Sequence, residues 1–575
     1  MDLVKIIKQA VDKVVDDLGL EKVDHIVEHP VDMEHGDYAC NVGMKGFDRV
    51  KDKFKSPREL AEAIVGKLKA DKNLKKIVSE IKVAGPGFIN ISIQTSVLVS
   101  LMEGLLNGGR EKGELKGKVM VEFTDPNPFK EFHIGHLYSN IVGESLSRIF
   151  EAQGVEVKRA NYQGDVGMHV AKSIWGMKKL MIENDIDLNS LNKKSSKERQ
   201  KFMGQAYVLG ASAYEKDKNV KKEIEELNKK IYELDEEIKE LYEKGRKWSL
   251  EYFEMIYQRL GTKFDYYFFE REVGEEGLKI VKKAFEKGVF EKSEGAVVYK
   301  GEKDGLHTRV FINKMGLPTY EAKDLGLAVI KYDKFKYDWS YNVTGNEINE
   351  YFKVVLAVLK KINVELWKKT RHIGHGMVRL PEGKMSSRTG KIMTGEWLLD
   401  EAKKQALKIM EKSKLTDKDE AAEMIGKAAV KYALLRNSIG QDIVFDFASS
   451  VSFEGNSGPY LQYTYARTRS VLSKARLQGQ TLKVENLSKE EMVLLRTMYK
   501  FTEVIEEAAK ELAPSNIASF LYDLAQKYNG FYNKHSILKA KTKEDKQFRL
   551  KLTEVTAEVI KKGLYLLGIE APEKM

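Results

Sequence analysis

The spacing of hydrophobic positions changes several times along the chain, and the changes mark its parts. The opening MDLVKIIKQAVDKVVDDLG sets apolar residues at helical spacing among charges of both signs, which predicts an amphipathic helix. Further on, in KVAGPGFINISIQ, glycines and a proline precede an alternating run (Phe88, Ile89, Ile91, Ile93), the pattern of a strand. Residues 1–115 therefore read as a small α+β domain, and the glycine-rich, charged NGGREKGELKGK, 107–118, reads as a linker. VMVEF, 119–123, predicts a short buried strand, followed by the proline-punctuated TDPNPFKEFHIGH and a helical pattern from Leu137 to Gln153. Strand, loop and helix in that order open a nucleotide-binding α/β unit.

From about 180 to 260 the pattern is helical, with Ile224, Leu227, Ile231, Leu234, Ile238 and Leu241 at alternating spacings of three and four. Their flanks are dense in Glu and Lys, so an antiparallel helical pair inserted into the α/β domain is preferred to a long dimeric coiled coil. Strand patterns return in FDYYFF (264–269), AVVYK (296–300), VFIN (310–313) and YNVTGN (341–346), so the α/β domain resumes after the insertion. Beyond about 400 the chain is almost wholly helical. The predicted fold class is multi-domain α/β plus α. It comprises an N-terminal α+β domain (1–115), a Rossmann-like parallel-sheet domain (116–400) with a helical insertion (180–260), and a C-terminal helical bundle (401–575).

Composition narrows this picture. A chain of 575 residues, 42% hydrophobic, supplies several cores at roughly 150 residues per domain, which excludes a wholly disordered protein. No stretch approaches about 18 uninterrupted apolar residues and the opening lacks the apolar run of a secretory signal, so a cytoplasmic protein without membrane spans is expected. The single cysteine, Cys40, excludes intramolecular disulfides and any zinc site needing two thiolates, and reads as a small buried residue. The formal charge is +11, from 97 Lys+Arg against 86 Asp+Glu, and it is uneven. Residues 361–395 carry eight Lys/Arg against two acids, and the residues from Val451 onward carry 20 against 15, so these two segments hold the whole excess. Polyanions are their natural partners; a solvated lysine-rich surface is the alternative.

Two short motifs carry chemistry. His133-Ile134-Gly135-His136 follows a strand and opens a helix, where free N–H groups and the positive dipole end suit phosphate. The two histidines would lie on one face as donors to one oxyanion, and Gly135 would let a flat base approach the backbone. His-x-x-His recurs at His372 and His375, but no adjacent carboxylate or cysteine completes a metal-ligand set, so no structural metal is expected. The second motif, GKMSSRTGK (383–391), has glycines, serines and three cations in nine residues, as a loop closing over a triphosphate would.

With both motifs in place, the chain resembles the class I aminoacyl-tRNA synthetases, and among them the arginyl-tRNA synthetases. The resemblance is carried, in family order, by VEFTDPNPFKEFHIGHL (121–137), NYQGDVGMHV (161–170), LGTKFDYYF (260–268), LPTYEAKDLGLA (317–328), GMVRLPEGKMSSRTG (376–390) and GNSGPYLQYTYARTRSVL (455–472). It implies an arginine–tRNA ligase that forms arginyl-adenylate from arginine and ATP, with Mg²⁺ accompanying the ATP, and passes the arginyl group to the terminal adenosine of its tRNA. It also implies Glu122, Asn127, Tyr320 and Asp324 as the arginine pocket, where carboxylates and a neutral acceptor suit a planar guanidinium. Gln163 and His169 would line the same cleft. His133 and His136 would meet the α-phosphate, Gly135 the adenine face, and Lys384, Met385, Ser386 and Ser387 the rest of the triphosphate.

This chain departs from the class signature lysine-methionine-serine-lysine-serine at its fourth position, which is Ser387, and Lys130 stands where a compensating lysine is expected. At 343–350, where the family usually offers glutamine, Asn346 and Glu347 stand instead. For the tRNA, Phe88 and Asn90 are the candidates in the N-terminal domain, with Phe88 as a core strand residue the competing reading. Tyr460 and Arg467 are the candidates in the C-terminal helices, where tyrosines and arginines interleave. A monomer is expected. The alternatives are a class I synthetase for another cationic amino acid such as lysine, and a non-catalytic tRNA-binding paralogue.

Overall fold

The computed structural model describes residues 2–20, 23–106, 116–381, 393–411, 416–475 and 487–575. The N-terminal region is an antiparallel sheet in the spatial order Val27–Glu28, Tyr38–Cys40, Phe88–Ile93, Val78–Ala84, backed by helices Leu3–Asp17 and Pro57–Ala70. The alternation read from the sequence sets the faces: Ile89, Ile91 and Ile93 enter the core with Cys40, while Phe88 and Asn90 lie half-buried on the other face. The reading of Phe88 as a core residue is therefore not what the strand shows. Asp37 in this domain is buried and takes Arg496 Nε at 2.6 Å from the far end of the chain, and Tyr38 Oη donates to Glu503 at 2.9 Å.

The central sheet has five parallel strands: β1 (Lys118–Phe123), β2 (Glu156–Gln163), β3 (Tyr266–Phe269), β4 (Trp339–Gly345) and β5 (Thr370–His375). Their spatial order is β5-β4-β1-β2-β3. The chain thus steps outward from β1 through β2 to β3, then returns to the other side of β1 for β4. Strand order reverses between β1 and β4, and the crevice at their carboxyl ends is where such sheets bind ligands. Helix α1 (Ile134–Ala152) leaves the end of β1, and almost all of its side chains from His136 to Phe150 are buried.

Between β2 and β3 lies the helical insertion: α2 (Met168–Glu183), α3 (Ser196–Lys216), α4 (Lys218–Glu233) and α5 (Glu236–Leu260), with a short helix at Leu188–Lys193. This is more than the helical pair expected. The apolar stripe is divided at Leu234, whose φ of +53° ends α4, so Ile224, Leu227 and Ile231 lie on α4 and Ile238 and Leu241 on α5. All five are buried in one cluster with Val170 and Ile174 of α2 and Met203 of α3, which satisfies the stripe within a single chain. AVVYK and VFIN are strands, as their pattern predicts, but they belong to a separate antiparallel three-stranded sheet. After β3 come α6 (Glu270–Glu286), α7 (Tyr320–Lys334) and α8 (Asn349–Ile362).

Apart from a two-stranded parallel pairing of Val378–Arg379 with Ile443–Val444, the rest is mainly helical: α9 (Gly395–Ile409), α10 (Lys418–Leu435), α11 (Gly458–Leu472), α12 (Lys489–Met498), α13 (Phe501–Glu511), α14 (Pro514–Lys534) and α15 (Lys543–Leu566). The last helix docks on α1 through its C-terminal carbonyls. Ser145 Oγ donates to Leu566 O at 2.9 Å and an Arg148 N–H to Tyr565 O at 3.0 Å. Buried Lys431 donates to Leu260 O at 2.7 Å and also to Gly568 O, joining the ends of α5 and α15. No helix among the described residues is long and apolar enough to cross a membrane.

Candidate active site

The carboxyl ends of the five parallel strands bring together most of the residues singled out in the sequence. The loop from β1 to α1 is strained: Thr124, Asp125 and Phe129, none of them glycine, have φ of +80°, +43° and +67°. Such left-handed backbone costs of order 1 kcal/mol or more per residue and persists only when neighbours impose it. Here Ser139 Oγ accepts from the Thr124 N–H at 2.9 Å, Asp125 Oδ1 from the Tyr162 N–H at 2.8 Å, and Ser249 Oγ from the Phe129 N–H at 2.9 Å.

His133 and His136 cap α1 reciprocally. His133 Nδ1 accepts from the backbone N–H groups of Gly135 (3.1 Å) and His136 (3.4 Å), while His136 Nδ1 accepts from the His133 N–H (3.2 Å). A nitrogen that accepts a backbone N–H carries no proton, so both rings are neutral with the proton on Nε2. The rings stack with centroids 3.5 Å apart. Desolvation in the cleft, then the neighbouring Lys130 and His375, push His133 down to about 4; desolvation and the same neighbours, with His133, hold His136 well below the ordinary imidazole range. The motif thus offers two neutral N–H donors beside a helix N-terminus.

Lys384, Met385, Ser386 and Ser387 lie outside the described residues. The chain that follows them is tied to the histidine motif. The Ile134 N–H donates to Met393 O at 3.1 Å and the Gly395 N–H to Phe132 O at 2.8 Å. A Cβ on Gly395 would lie 3.0 Å from Leu137 and Phe132 side-chain atoms, so a larger residue would have to push these neighbours aside.

Beside this mouth lies a buried ionic pocket. Asp324 sits one turn into α7 after Tyr320, so the pair shares a helix face as the sequence suggested, and Tyr351 Oη donates to Asp324 at 2.6 Å. Desolvation, with the charges of Glu122 and Glu270, pushes Asp324 up to about 7. Burial and Glu122 hold Asp125 well above the carboxylate range. Glu122 is committed through Oε2 to Lys331 Nζ at 2.6 Å, and Lys331 also donates to Asn342 at 3.0 Å. Asn127 and Glu270 converge: a Cβ on Gly164 would lie 2.2 Å from Asn127 Oδ1 and 2.9 Å from Glu270 Oε1. Gln163 donates to Asn161 at 2.6 Å, and among the described residues neither its own Oε1 nor the buried Tyr162 Oη has a hydrogen-bond partner. His169 is fixed by its 2.7 Å contact with Gly164 O.

Glu270, Asp125, Lys323 and Lys331 were not found by sequence reasoning. Glu270 holds Lys323 at 2.6 Å in a buried pair. Its position directly after the FDYYFF run was the available signal, since a residue ending a parallel strand faces the crevice. His372 and His375 are otherwise engaged, His372 Nε2 with Thr344 Oγ1 at 2.7 Å and His375 Nδ1 with Gly376 O at 2.9 Å. Among the described residues no group of three or more His, Cys, Asp or Glu could hold a metal ion.

In the C-terminal helices, Asn529 accepts from Arg467 and donates to Tyr460 Oη at 2.9 Å, and the Arg467 guanidinium lies between the rings of Tyr463 and Tyr532 at 4.8 and 5.3 Å. Asn529 thus engages one Arg467 N–H and the Tyr460 oxygen, and the more exposed rings beside them are Tyr463 and Tyr532, at 40% and 38%.

Residues 100–447 match the family model described as tRNA synthetases class I (R), catalytic domain, which places the parallel-sheet region in that class. Residues 1–93 match the arginyl tRNA synthetase N-terminal domain and 461–575 the DALR anticodon binding domain. The arginine–tRNA ligase of Porphyromonas gingivalis is 32% identical over 562 residues, 92% of each chain, and that of Clostridium acetobutylicum is 32% identical over 584 residues, covering both chains completely. Among solved structures, the Thermus thermophilus arginyl-tRNA synthetase matches the whole of both chains with a TM-score of 0.81 at 25% identity. The chain belongs to the arginyl-tRNA synthetase family.

Proposed function

We propose that this protein joins arginine to its tRNA at the expense of ATP, and that the crevice between β1 and β4 carries out both steps. The observation that supports this best is a charge imbalance beside the histidine motif. Among the described residues, the carboxylates of Glu122, Asp125, Glu270 and Asp324 are set against the ammonium groups of Lys331, Lys323 and, acting on Glu270 from beside the histidine motif, Lys130. A buried cluster with more carboxylates than ammonium groups is completed by a cationic ligand. A guanidinium with five N–H donors suits Asp324 and Tyr320, while Asn127 and Glu270 take the nearer end of the substrate. Glu122, already paired with Lys331, acts through its field.

In the first step the arginine carboxylate attacks the α-phosphorus of ATP, forming arginyl-adenylate and releasing pyrophosphate. The Nε2–H groups of His133 and His136 and the N-terminus of α1 stabilise the charge gathering on the α-phosphate oxygens. Gly135 admits the adenine face; Lys130, Lys384, Ser386 and Ser387, with Met385 beside them, serve the leaving pyrophosphate. Mg²⁺ arrives as the counterion of the triphosphate, and no side chain of this protein is assigned to it. In the second step a ribose hydroxyl of the tRNA's terminal adenosine attacks the arginyl carbonyl and AMP departs. No enzyme nucleophile is used; catalysis is positioning and charge stabilisation. Phe88 and Asn90, on the outer face of the N-terminal sheet, and Tyr460 and Arg467, in the C-terminal helices, contribute to the tRNA surfaces of a cytoplasmic monomer.

The test is to incubate the purified protein with ATP, total tRNA and each amino acid separately and to measure charged tRNA. Arginine alone should be charged. Charging with lysine in its place would sink the specificity, and charging with none would leave a tRNA-binding protein.

A further inference from the structure

We propose that Tyr207, on α3 of the helical insertion, is a positioning residue that holds the Lys130 ammonium at the phosphate mouth without neutralising it. The inference rests on the reading above that Lys130 faces the triphosphate. Lys130 Nζ lies over the Tyr207 ring, 4.8 Å from its centroid. Among the described residues, Nζ makes no hydrogen bond and no ion pair. Its charge is nevertheless felt across the site, at His133, His136, His169 and Glu270. The cation is thus placed at the centre of the machinery and left uncommitted.

The surrounding packing shows how. Gln200, Gly204 and Tyr207 are spaced by four and three along α3, so they share one face, and that face grips residues 130 and 131. Gln200 Nε2 donates to Lys130 O at 2.5 Å, and a Cβ on Gly204 would lie 3.0 Å from Glu131 Oε1. From the other side, α5 pins Phe129 through Ser249, and a Cβ on Gly245 would meet the Phe129 ring at 2.2 Å. The backbone on either side of Lys130 is therefore fixed by the insertion, and its side chain is directed by one aromatic ring.

An ammonium paired with a carboxylate would have to break that pair before meeting phosphate. A ring face attracts the same ammonium through its quadrupole and leaves its full charge available. This matters here because the segment after Gly383 has serine where the class signature has its second lysine, and the family resemblance implies that Lys130 compensates for it.

The experiment is arginine-dependent pyrophosphate exchange in the presence of tRNA, with the full-length protein and the variants Lys130→Met, Tyr207→Leu, Tyr207→Phe, Tyr207→Glu and Lys130→Met/Tyr207→Leu. Tyr207→Leu should lower kcat about tenfold with KM for arginine unchanged within about twofold, and Tyr207→Phe, which keeps the ring, should stay within about twofold of wild type. Tyr207→Glu supplies a countercharge, so it should lose at least as much kcat as Tyr207→Leu and raise KM for ATP; this variant decides the matter if Tyr207→Leu fails to fold. The double variant should be no slower than Lys130→Met, because Tyr207 acts only through that ammonium. An additive loss in the double variant, or a Tyr207→Leu enzyme as fast as wild type beside a damaged Lys130→Met, overturns the proposal while leaving the role of Lys130 standing. A Lys130→Met enzyme as fast as wild type overturns that role and the proposal with it.

Discussion

The two halves of the crevice are polar in opposite ways. At the phosphate mouth the histidines are neutral, fixed as Nε2–H donors by the backbone they cap, and the ammonium of Lys130 rests on an aromatic ring. In the amino-acid pocket the groups are ionisable carboxylates, and burial together with the neighbouring Glu122 and Glu270 pushes Asp324 up to about 7. The difference follows from the ligands. A triphosphate brings its own large charge and needs donors that do not reorganise, whereas an amino acid is chosen by whether its side chain supplies the charge the pocket lacks.

This contrast can be broken most directly at Asp324. Asp324→Ala should raise KM for arginine by about 10²-fold or more while leaving KM for ATP within about twofold, since it removes a charge-assisted contact to the amino acid alone. Equal effects on both substrates would merge the two halves. At the mouth, His136→Asn should lower kcat by about 10²-fold with KM for arginine nearly unchanged, as loss of one preformed oxyanion donor does elsewhere.

Titration sharpens the comparison. An Asp324 carboxyl pushed up to about 7 must lose its proton to receive a guanidinium, so arginine affinity should weaken about tenfold from pH 8 to pH 6, and binding near pH 6 should release a proton to the buffer, measurable by calorimetry. In Asp324→Asn both effects should vanish. His133, pushed down to about 4, should by contrast remain the neutral Nε2–H tautomer throughout that range, which ¹⁵N NMR of the imidazoles would report. The smallest effect is expected far from both halves. Phe88→Ala should raise KM for tRNA about fivefold, through one lost stacking contact, without changing KM for arginine or ATP.

Much of this was legible in the sequence because it is local. The run of strand, loop and helix around His133 put the motif at a helix start, and the spacing of Tyr320 and Asp324 put both on one helical face. What escaped depends on distance or on backbone conformation. Glu122 looks free in the sequence, and its partner Lys331 stands 209 positions later. Nothing in TDPNPF marks left-handed backbone, because the residues adopting it are not glycines and are held there by Ser139, Tyr162 and Ser249. The stripe from Ile224 to Leu241 reads as unbroken because periodicity does not register the single residue, Leu234, at which the helix stops. Alternation likewise marks AVVYK and VFIN as strands without indicating which sheet they join.

The bond between Asp37 and Arg496 spans 459 positions, which gives it a meaning during synthesis. At about 5–20 residues per second, the N-terminal domain waits roughly 20 to 90 s on the ribosome before the helix bearing Arg496 is made. Over that interval Asp37 keeps the Ile93 N–H on one oxygen, while its other oxygen and the hydroxyl of Tyr38 lack the partners that α12 and α13 supply. Final closure of the protein is therefore a late, long-range event joining its first-made part to nearly its last, and the domain must remain soluble on its own until then.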